Sequence, residues 1–467
     1  MARIVLFNPP GSRLYLRDQY CSSPSKANYY WPPIDLIILS GILAEKHDVF
    51  VLDSIIEGFS FEKSLQILKE RRVDFLIFIT GTSSWKEDAN TIQKIKEGCD
   101  CLTIASGDFL LDRYREIMAE HYFLDAVLLD FTSSHILDYL DNPTGGHPIP
   151  DVVYRVGPEI IQGGQETQRV FKIPIPRHDL FPLKKYRVPH SQQHPLTSTI
   201  TNFGCPFKCD FCIGSVLNFK YRESENVLAE LKFIRSIGMR EVYFRDFTFG
   251  IPRHNTIEIC ERMVKEKLDL SWICLSRVDT LDEPLLRLMK SAGCHTIQFG
   301  VESSSQEILD KYQKRATQEQ TRFTFNLCRK YGLKTLAHII LGLPGETEES
   351  LMKTVQFVID LDCDYVSFNV AVPVIGTNLR KIAVNQGWLK NNDLGIGATF
   401  YPTMETEKLP AEKLWALRNQ AIRSFYLRPH YLWKKIVGVR SVYDLRRLFR
   451  EGSALVLSTF SGGEKCS

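Results

Sequence analysis

Short apolar runs alternate with amphipathic stretches along the first 150 residues. The runs are rich in Val, Ile, Leu and Phe and have the length of buried strands, whereas the stretches between them repeat their apolar residues at helical spacing. This alternation is typical of a doubly wound parallel sheet covered by helices. The predicted strands are Arg3–Asn8, Val49–Leu52, Phe75–Thr80, Cys101–Ala105 and Ala126–Leu129, and the helices include Phe61–Arg71 and Glu87–Glu97.

A second alternating series begins near residue 196. Residues 141–195 are rich in Pro, Gly and His, which predicts a linker with at most a small hairpin. Six strand–helix units then follow in residues 196–385, which fits a full or partial TIM-like barrel with its chemistry in the loops after the strands. The predicted strands are Ser198–Thr201, Glu241–Phe244, Trp272–Leu275, Thr296–Gly300, Thr335–Leu341 and Val366–Val370.

The end of the chain has a different character, and residues 386–467 are expected to be helical. Residues 411–451 hold ten Lys or Arg against three Asp or Glu, interleaved with aromatic residues, whereas the whole chain has a net charge of only +3. A basic amphipathic helix contacts a membrane surface or a lipid substrate, or packs on its own protein with its arginines in water. The modest total charge gives no indication of a nucleic-acid partner.

The chain offers no apolar run near the length of a membrane span, and its start leads directly into a strand pattern. We therefore expect a cytoplasmic protein, with peripheral membrane contact through the basic tail. No GxGxxG motif supports a dinucleotide site in residues 1–140.

The twelve cysteines fall into two classes. Nine are scattered, several in apolar context, and are interpreted as small core residues. The other three, Cys205, Cys209 and Cys212, lie within eight residues, and no fourth Cys or His follows at zinc-site spacing. Three thiolates holding a 4Fe-4S cluster would leave one iron open to a substrate or cofactor.

The stretch Cys205–Cys212 resembles the cluster loop of radical S-adenosylmethionine (SAM) enzymes. Together with the domain order, the resemblance extends to the subgroup with an N-terminal Rossmann-like cobalamin-binding-type domain (1–140), a radical SAM barrel (196–385) and a C-terminal helical region. That subgroup includes methyltransferases that act on unactivated carbon, a ring cyclase of bacteriochlorophyll synthesis, and hopanoid-biosynthesis enzymes. The further matching segments are Phe244–Asp246, Leu275–Asp279, Phe299–Ser303, Leu341–Glu346 and Pro373–Thr377.

The resemblance implies a role for several residues of the barrel. The three cysteines would hold the cluster, SAM would chelate its open iron, and the backbone of Phe211 would contact the adenine. Arg277 would bind the methionyl carboxylate, or alternatively form a structural ion pair with Asp279 or Asp282.

Four further residues complete the SAM site that the resemblance implies. Glu302 would accept hydrogen bonds from the ribose hydroxyls. Gly342 and Gly345 would let the backbone approach the adenine. Asp246 would contact the amino group of SAM, or alternatively act as a helix cap or turn residue.

In the N-terminal domain, Thr82, Ser83 and Gly107 lie at predicted strand ends, where the cobalamin tail passes in the family. We therefore expect a radical SAM enzyme with a 4Fe-4S cluster, SAM and cobalamin. It would methylate or rearrange an unactivated carbon of a small molecule or lipid, with a flavodoxin- or ferredoxin-type electron donor.

Three alternatives remain open from the sequence. One is a tRNA methylthiotransferase, although Cys21, Cys99 and Cys101 do not have the placement of its second cluster. Another is a radical SAM enzyme whose N-terminal domain no longer binds cobalamin. The third is a non-catalytic cobalamin-binding regulator, against which the intact cysteine triplet argues.

Overall fold

The N-terminal part of the chain is built around a seven-stranded sheet. The computed structural model describes residues 1–20, 22–25, 29–389, 402–406, 408–438 and 452. The strands up to residue 171 are β1 (Arg3–Asn8), β2 (Tyr15–Leu16), β3 (Ser23–Pro24), β4 (Asp48–Asp53), β5 (Phe75–Thr80), β6 (Leu102–Gly107), β7 (Ala126–Leu128), β8 (Val152–Val156), β9 (Glu159–Gln162) and β10 (Val170–Phe171). The helices are α1 (Ile34–Ala44), α2 (Ser54–Glu57), α3 (Phe61–Arg71), α4 (Trp85–Gly98), α5 (Leu110–Glu120) and α6 (Ile136–Asp141).

The first five strands of this sheet are parallel, in the order β4-β1-β5-β6-β7. Strand β5 reads Phe-Leu-Ile-Phe-Ile-Thr and is buried at every position, as expected where helices cover both faces of a parallel sheet. The predicted α/β pattern of residues 1–140 is therefore confirmed.

The predicted linker contributes to the same sheet. Strands β8 and β9 form an antiparallel hairpin, and β8 pairs with β7. The hairpin that the sequence pattern suggested is thus the edge of the N-terminal sheet rather than a separate connection. Its Val152 and Val153 are fully buried, which explains why it packs there.

The second half of the described chain is built on a six-stranded sheet in the order β11-β14-β15-β16-β17-β18, with every pair parallel. The strands are β11 (Leu196–Thr199), β12 (Asn202–Phe203), β13 (Lys220–Arg222), β14 (Glu241–Phe244), β15 (Ser271–Ser276), β16 (Cys294–Glu302), β17 (Lys334–Leu341) and β18 (Tyr365–Val370). The helices are α7 (Ser224–Ser236), α8 (Arg253–Lys265), α9 (Glu283–Ser291), α10 (Gln306–Lys311), α11 (Gln318–Lys330), α12 (Glu348–Asp360), α13 (Asn378–Asn385), α14 (Ala411–Tyr426) and α15 (Pro429–Val437).

Side-chain caps start the helices that follow these strands. Asp282 accepts a hydrogen bond from the Leu285 amide at the start of α9. Thr317 and Thr347 form capping boxes at the starts of α11 and α12. Each cap ends a strand–helix loop sharply, which keeps the loops at the carboxyl edge of the sheet in place.

Helix α14 closes the end of this sheet. The Tyr426 hydroxyl donates to the Val366 carbonyl at 2.6 Å and accepts from the Val366 amide at 3.1 Å, which fixes the helix to β18. The predicted helical tail is therefore helical in α14 and α15, and the rest of its basic sequence, residues 439–451 and 453–467, lies outside the described residues. No described helix is both long and apolar enough to cross a membrane.

The carboxyl edges of the two sheets face each other. Asp18, between β2 and β3 in the segment that leaves β1, accepts from Arg245, directly after β14, at 2.6 Å. The ring of Tyr20 lies 4.4 Å from that of Phe247. Lys220 of β13 pairs at 2.6 Å with Asp130, which follows β7.

Candidate functional site

The three clustered cysteines lie on one loop at the carboxyl edge of the six-stranded sheet. Strands β12 and β13 pair with each other and close the base of this loop. Cys205 Sγ lies 3.6 Å from the Thr248 hydroxyl, and Cys209 Sγ lies 3.8 Å from the Gln313 carbonyl. Cys205 and Cys209 are buried and Cys212 is half-buried.

The three thiols lie close enough to influence one another electrostatically. Burial, followed by the neighbouring thiols Cys205 and Cys209, raises the pKa of Cys212 to about 12. Burial also raises the pKa of Cys209, against the opposing effect of Lys314 and Arg277. Thiols must lose their protons to bind metal, and three soft sulfur donors fit an iron–sulfur cluster.

Arg277 connects the cysteine loop to two other loops. Its guanidinium lies 3.5 Å from Cys209 Sγ, 3.9 Å from the ring centre of Phe207, and 2.6 Å from the Lys314 carbonyl. It also donates to both oxygens of Asp279, at 2.8 and 2.7 Å. The ion pair that the sequence left open is thus present, and it holds a positive charge beside the cluster thiols.

Glu302 ends β16 in a strained conformation. Its φ is 65°, in the left-handed region, and the pairing with β17 shifts register between Gly300 and Glu302. Lys314, which the sequence did not single out, donates to Glu302 at 3.0 Å, and both side chains are largely buried. The bulge turns this carboxylate to the carboxyl edge of the sheet, where the cysteine loop also lies.

The turn after β17 is held by a buried carboxylate that sequence reasoning missed. Glu346 accepts from the amides of Gly342 and Leu343 at 2.8 and 3.0 Å and from the Ser303 hydroxyl at 3.0 Å. Burial raises the pKa of Glu346 to about 7, although these hydrogen bonds oppose the rise. Its position directly after a Gly-x-Pro-Gly turn was the only sequence signal.

Both predicted glycines of this turn have positive φ. Gly342 has a φ of 87° and Gly345 a φ of 110°, which other residues adopt only with strain. Phe211 of the cysteine loop packs against the apolar cluster that contains Leu343. Phe211, Gly342 and Gly345 are thereby brought to the same region.

Asp246 forms hydrogen bonds within the protein. It accepts from the Thr201 amide and hydroxyl and from the Asn202 amide, at 2.7 to 2.9 Å. Burial raises its pKa to about 6, and these bonds counteract the rise. Asp246 therefore acts as a turn residue, the second of the two roles considered for it, and fixes the start of the segment that leads to the cysteines.

The predicted cobalamin-tail residues lie at the carboxyl edge of the N-terminal sheet. The Thr82 amide donates to Asp108 at 2.8 Å, and the hydroxyls of Ser83 and Ser22 are 2.7 Å apart. A side chain at Gly107 would come within 2.8 Å of the Thr80 carbonyl, so the adjacent strand explains that glycine. These residues do not lie on the cysteine loop.

At the carboxyl edge of the N-terminal sheet lie three buried polar atoms that find no hydrogen-bond partner among the described residues. They are Gln19 Oε1, the Tyr20 hydroxyl and Asp35 Oδ1. The other oxygen of Asp35 accepts from the Gln19 amide and the Ser106 hydroxyl, both at 3.0 Å. Burial, followed by the nearby Asp18, raises the pKa of Asp35 well above its usual range. Such atoms favour a polar ligand at this place.

The face of the six-stranded sheet away from the helices carries a polar chain. His338 is 3.0 Å from Gln298 Oε1, and the Gln298 amide donates to the Tyr243 hydroxyl at 3.1 Å. Arg245 also donates to that hydroxyl, at 3.3 Å. The sequence predictions did not include Tyr243 or His338 in the site, because strand alternation alone does not show which neighbours carry polar groups.

Comparisons with known proteins identify the family of the chain. The Radical SAM superfamily model matches residues 199–358. The chain is 32% identical over 416 residues to an uncharacterized methyltransferase of Pyrococcus horikoshii, covering 87% of this chain and 90% of that protein. It is 24% identical over 456 residues to the anaerobic magnesium-protoporphyrin IX monomethyl ester cyclase of Cereibacter sphaeroides, covering 92% and 73%.

Solved structures also resemble nearly the whole chain. The cobalamin-dependent SAM radical enzyme OxsB, with aqua-cobalamin and SAM bound, superposes with a TM-score of 0.71. The match covers 98% of this chain and 72% of OxsB at 14% identity, so it shows a shared fold. With the cysteine loop and the archaeal relative, these findings establish that the chain is an enzyme of the radical SAM superfamily.

Proposed function

We propose that this radical SAM enzyme depends on cobalamin and methylates or rearranges an unactivated carbon of a small molecule. The observation that carries the proposal is the direct opposition of the two carboxyl edges, joined by the Asp18–Arg245 and Tyr20–Phe247 contacts. The cysteine loop lies on one edge and the unpartnered polar atoms lie at the other. Ligands of open parallel sheets bind at such edges.

On the barrel side, we propose that Cys205, Cys209 and Cys212 bind the cluster. A 4Fe-4S cluster held by these thiolates would supply the one-electron reductant for the reductive cleavage of SAM. Arg277 would help to neutralise the charge of the thiolates, since its guanidinium lies 3.5 Å from Cys209 Sγ. Glu302, held by Lys314, offers an acceptor to the ribose hydroxyls.

The Gly342–Gly345 turn would form the adenine side of the SAM site. Its glycines leave the backbone accessible, and Glu346 fixes the turn by its bonds to the Gly342 and Leu343 amides. Asp246 would support the site through the Thr201–Asn202 segment rather than by direct contact with SAM.

On the N-terminal side, Gln19, Tyr20 and Asp35 fit the amide groups around a corrin ring. Gln19 Oε1 can accept from an amide N–H, and the Tyr20 hydroxyl can donate to an amide carbonyl. Asp35, whose raised pKa favours the neutral acid, can donate as well. Bound cobalamin supplies a methyl carrier, and Thr82, Ser83 and Gly107 stay proposed contacts of its tail.

The substrate would bind on the inner face of the six-stranded sheet, which we propose forms a partial barrel. Gln298, His338 and Tyr243 offer hydrogen bonds there, which favours a substrate with polar groups over a wholly apolar lipid. The electron donor stays a prediction of the flavodoxin or ferredoxin type.

Helix α15 supports the proposed membrane contact of the tail. Trp433 and Ile436 are 67% and 62% exposed, and Lys434 and Lys435 lie beside them. Exposed apolar side chains flanked by lysines suit the surface of an anionic bilayer.

The function is tested on the full chain purified without oxygen and reconstituted with iron, sulfide and cobalamin. Bound cobalamin is measured from its absorption spectrum, and SAM products are separated by chromatography. S-adenosylhomocysteine with deoxyadenosine indicates methyl transfer, whereas deoxyadenosine alone indicates rearrangement. A chain that binds no cobalamin would refute the cobalamin proposal, and SAM cleavage that survives Cys209→Ala would refute the cluster assignment.

A further inference from the structure

A second group of metal-binding side chains lies in the N-terminal domain, away from the cysteines. His135 directly precedes α6, Asp151 directly precedes β8, and Glu166 follows β9. One ligand atom from each of these three residues lies within 4.8 Å of the other two. Three separate segments of the chain therefore converge on one point.

Asp151 shows that this convergence is more than a surface cluster. The residue is only 3% exposed, and its Oδ2 accepts no hydrogen bond from any described residue. That same atom points to His135, whose Nδ1 lies 3.8 Å away. The other oxygen, Oδ1, accepts from the Glu166 amide at 3.2 Å. A buried carboxylate oxygen without a donor is destabilising unless a cation compensates it.

We propose that His135, Asp151 and Glu166 bind a divalent transition-metal ion, for which Zn²⁺ is the probe. Two carboxylates balance the charge of the ion, and one imidazole nitrogen favours a transition metal over Mg²⁺ or Ca²⁺. Ligand atoms around tetrahedral zinc lie about 3.4 Å apart, and His135 Nδ1 lies 3.8 Å from Asp151 Oδ2. His135 and Glu166 are half-buried, which leaves room for a water molecule as a fourth ligand.

The position of this site suggests a structural role at the domain boundary. Gln165, next to Glu166, accepts from the Asn218 side chain at 2.9 Å, and Asn218 follows the cluster cysteines along the chain. A metal ion that fixes Glu166 to His135 and Asp151 would therefore stabilise the end of the hairpin against the segment that leaves the cysteine loop. This metal site would form whether or not the chain binds cobalamin.

The test is metal analysis of the full chain with its cluster assembled. The protein is incubated with Zn²⁺, desalted, and analysed for zinc and iron by mass spectrometry, in the wild type and in Asp151→Asn. Asparagine tolerates the left-handed φ of 61° at this position and can still accept from the Glu166 amide. We expect the wild type to hold one equivalent of zinc more than the variant, at equal iron content.

Two further variants keep the result interpretable. His135→Gln changes a half-buried side chain and should also lose the zinc, whereas Asp141→Asn, an exposed carboxylate paired with Lys46, should keep it. Zinc held by cysteines that lack a cluster would be equal in all variants. Equal zinc in the wild type, Asp151→Asn and His135→Gln would overturn the proposal, and so would Mg²⁺ binding as tightly as Zn²⁺ in titration calorimetry.

Discussion

Replacement of Glu230 by Gln should destabilise the protein and loosen the base of the cysteine loop. Glu230 of α7 binds Arg222 of β13 at 2.5 Å and His178 at 3.0 Å, and the three side chains are fully buried. Arg222 in turn donates to the Ile200 carbonyl at 3.0 Å. The carboxylate therefore holds both ends of the segment that carries the cysteines.

The size of the destabilisation follows from the charge of Arg222, which stays buried when Glu230 is replaced. Burial raises the pKa of Glu230, but Arg222 and the His178 hydrogen bond outweigh burial and lower it to about 2. Relative to an ordinary value of 4.5, that shift corresponds to about 3 kcal/mol of stability. Loss of one partner of a buried ion pair typically costs about 3–5 kcal/mol, because the other charge stays desolvated. The stability that the ionised Glu230 contributes is present above pH 4.5 and is lost only as the pH falls toward 2. An assay at pH 7.5 therefore measures all of it.

The assay is urea unfolding followed by tryptophan fluorescence, with iron retention measured on the same samples. Glu225→Gln is the matched control, since it lies on the same helix with a 68% exposed side chain in a surface pair with Arg262, and should leave the unfolding midpoint unchanged. The double variant Arg222→Met/Glu230→Leu should regain part of the loss, because no unpaired charge remains. A Glu230→Gln protein within about 0.5 kcal/mol of the wild type would contradict the reasoning.

Three further predictions concern the SAM site and the tail. Burial raises the pKa of Glu346 to about 7, so the folded chain binds the proton of this carboxyl more tightly than the unfolded chain does. The stability of the wild type should therefore fall by about 2 kcal/mol relative to Glu346→Gln between pH 5.5 and 8. The same stability difference between the two proteins at both pH values in urea unfolding would refute this prediction. Lys314→Met should weaken SAM binding about tenfold in equilibrium dialysis by releasing Glu302, and unchanged binding would exclude this positioning role. Trp433→Ala should reduce cosedimentation with anionic vesicles, whereas the half-buried Trp415→Ala should not, and equal binding of both would argue against contact through α15.

Elements with strong local signals agree with the sequence predictions. The predicted bounds are correct for helix Phe61–Arg71 and for three strands, Arg3–Asn8, Phe75–Thr80 and Glu241–Phe244. Their apolar runs are buried and their ends carry turn or capping residues, so propensity and packing favour the same structure. The cysteine loop was predictable for the same reason, because its spacing is local.

Contacts between distant segments were not predictable from one sequence. Lys314 meets Glu302 through a β-bulge, and Glu346 meets Ser303 across two strands. The hairpin β8–β9 lies in the predicted linker, because residues 141–195 are rich in Pro, Gly and His, whereas its place in the sheet depends on pairing with β7. Local patterns reveal which residues are polar, but tertiary pairing decides which of them become partners.

The contact between Asp18 and Arg245 bears most directly on how the two sheets work together. Their side chains are 227 residues apart in sequence and almost fully buried at the boundary between the facing edges. A buried ion pair adds little net stability, since desolvation offsets most of the attraction, but it tolerates only one geometry. The guanidinium also lies 4.3 Å from the Trp31 ring centre, which restricts it further. A reaction shared between two edges depends on their separation, because a misplacement of about 1 Å can reduce a rate about 100-fold. The pair is therefore better explained as an alignment device between the two halves of the site than as a source of stability.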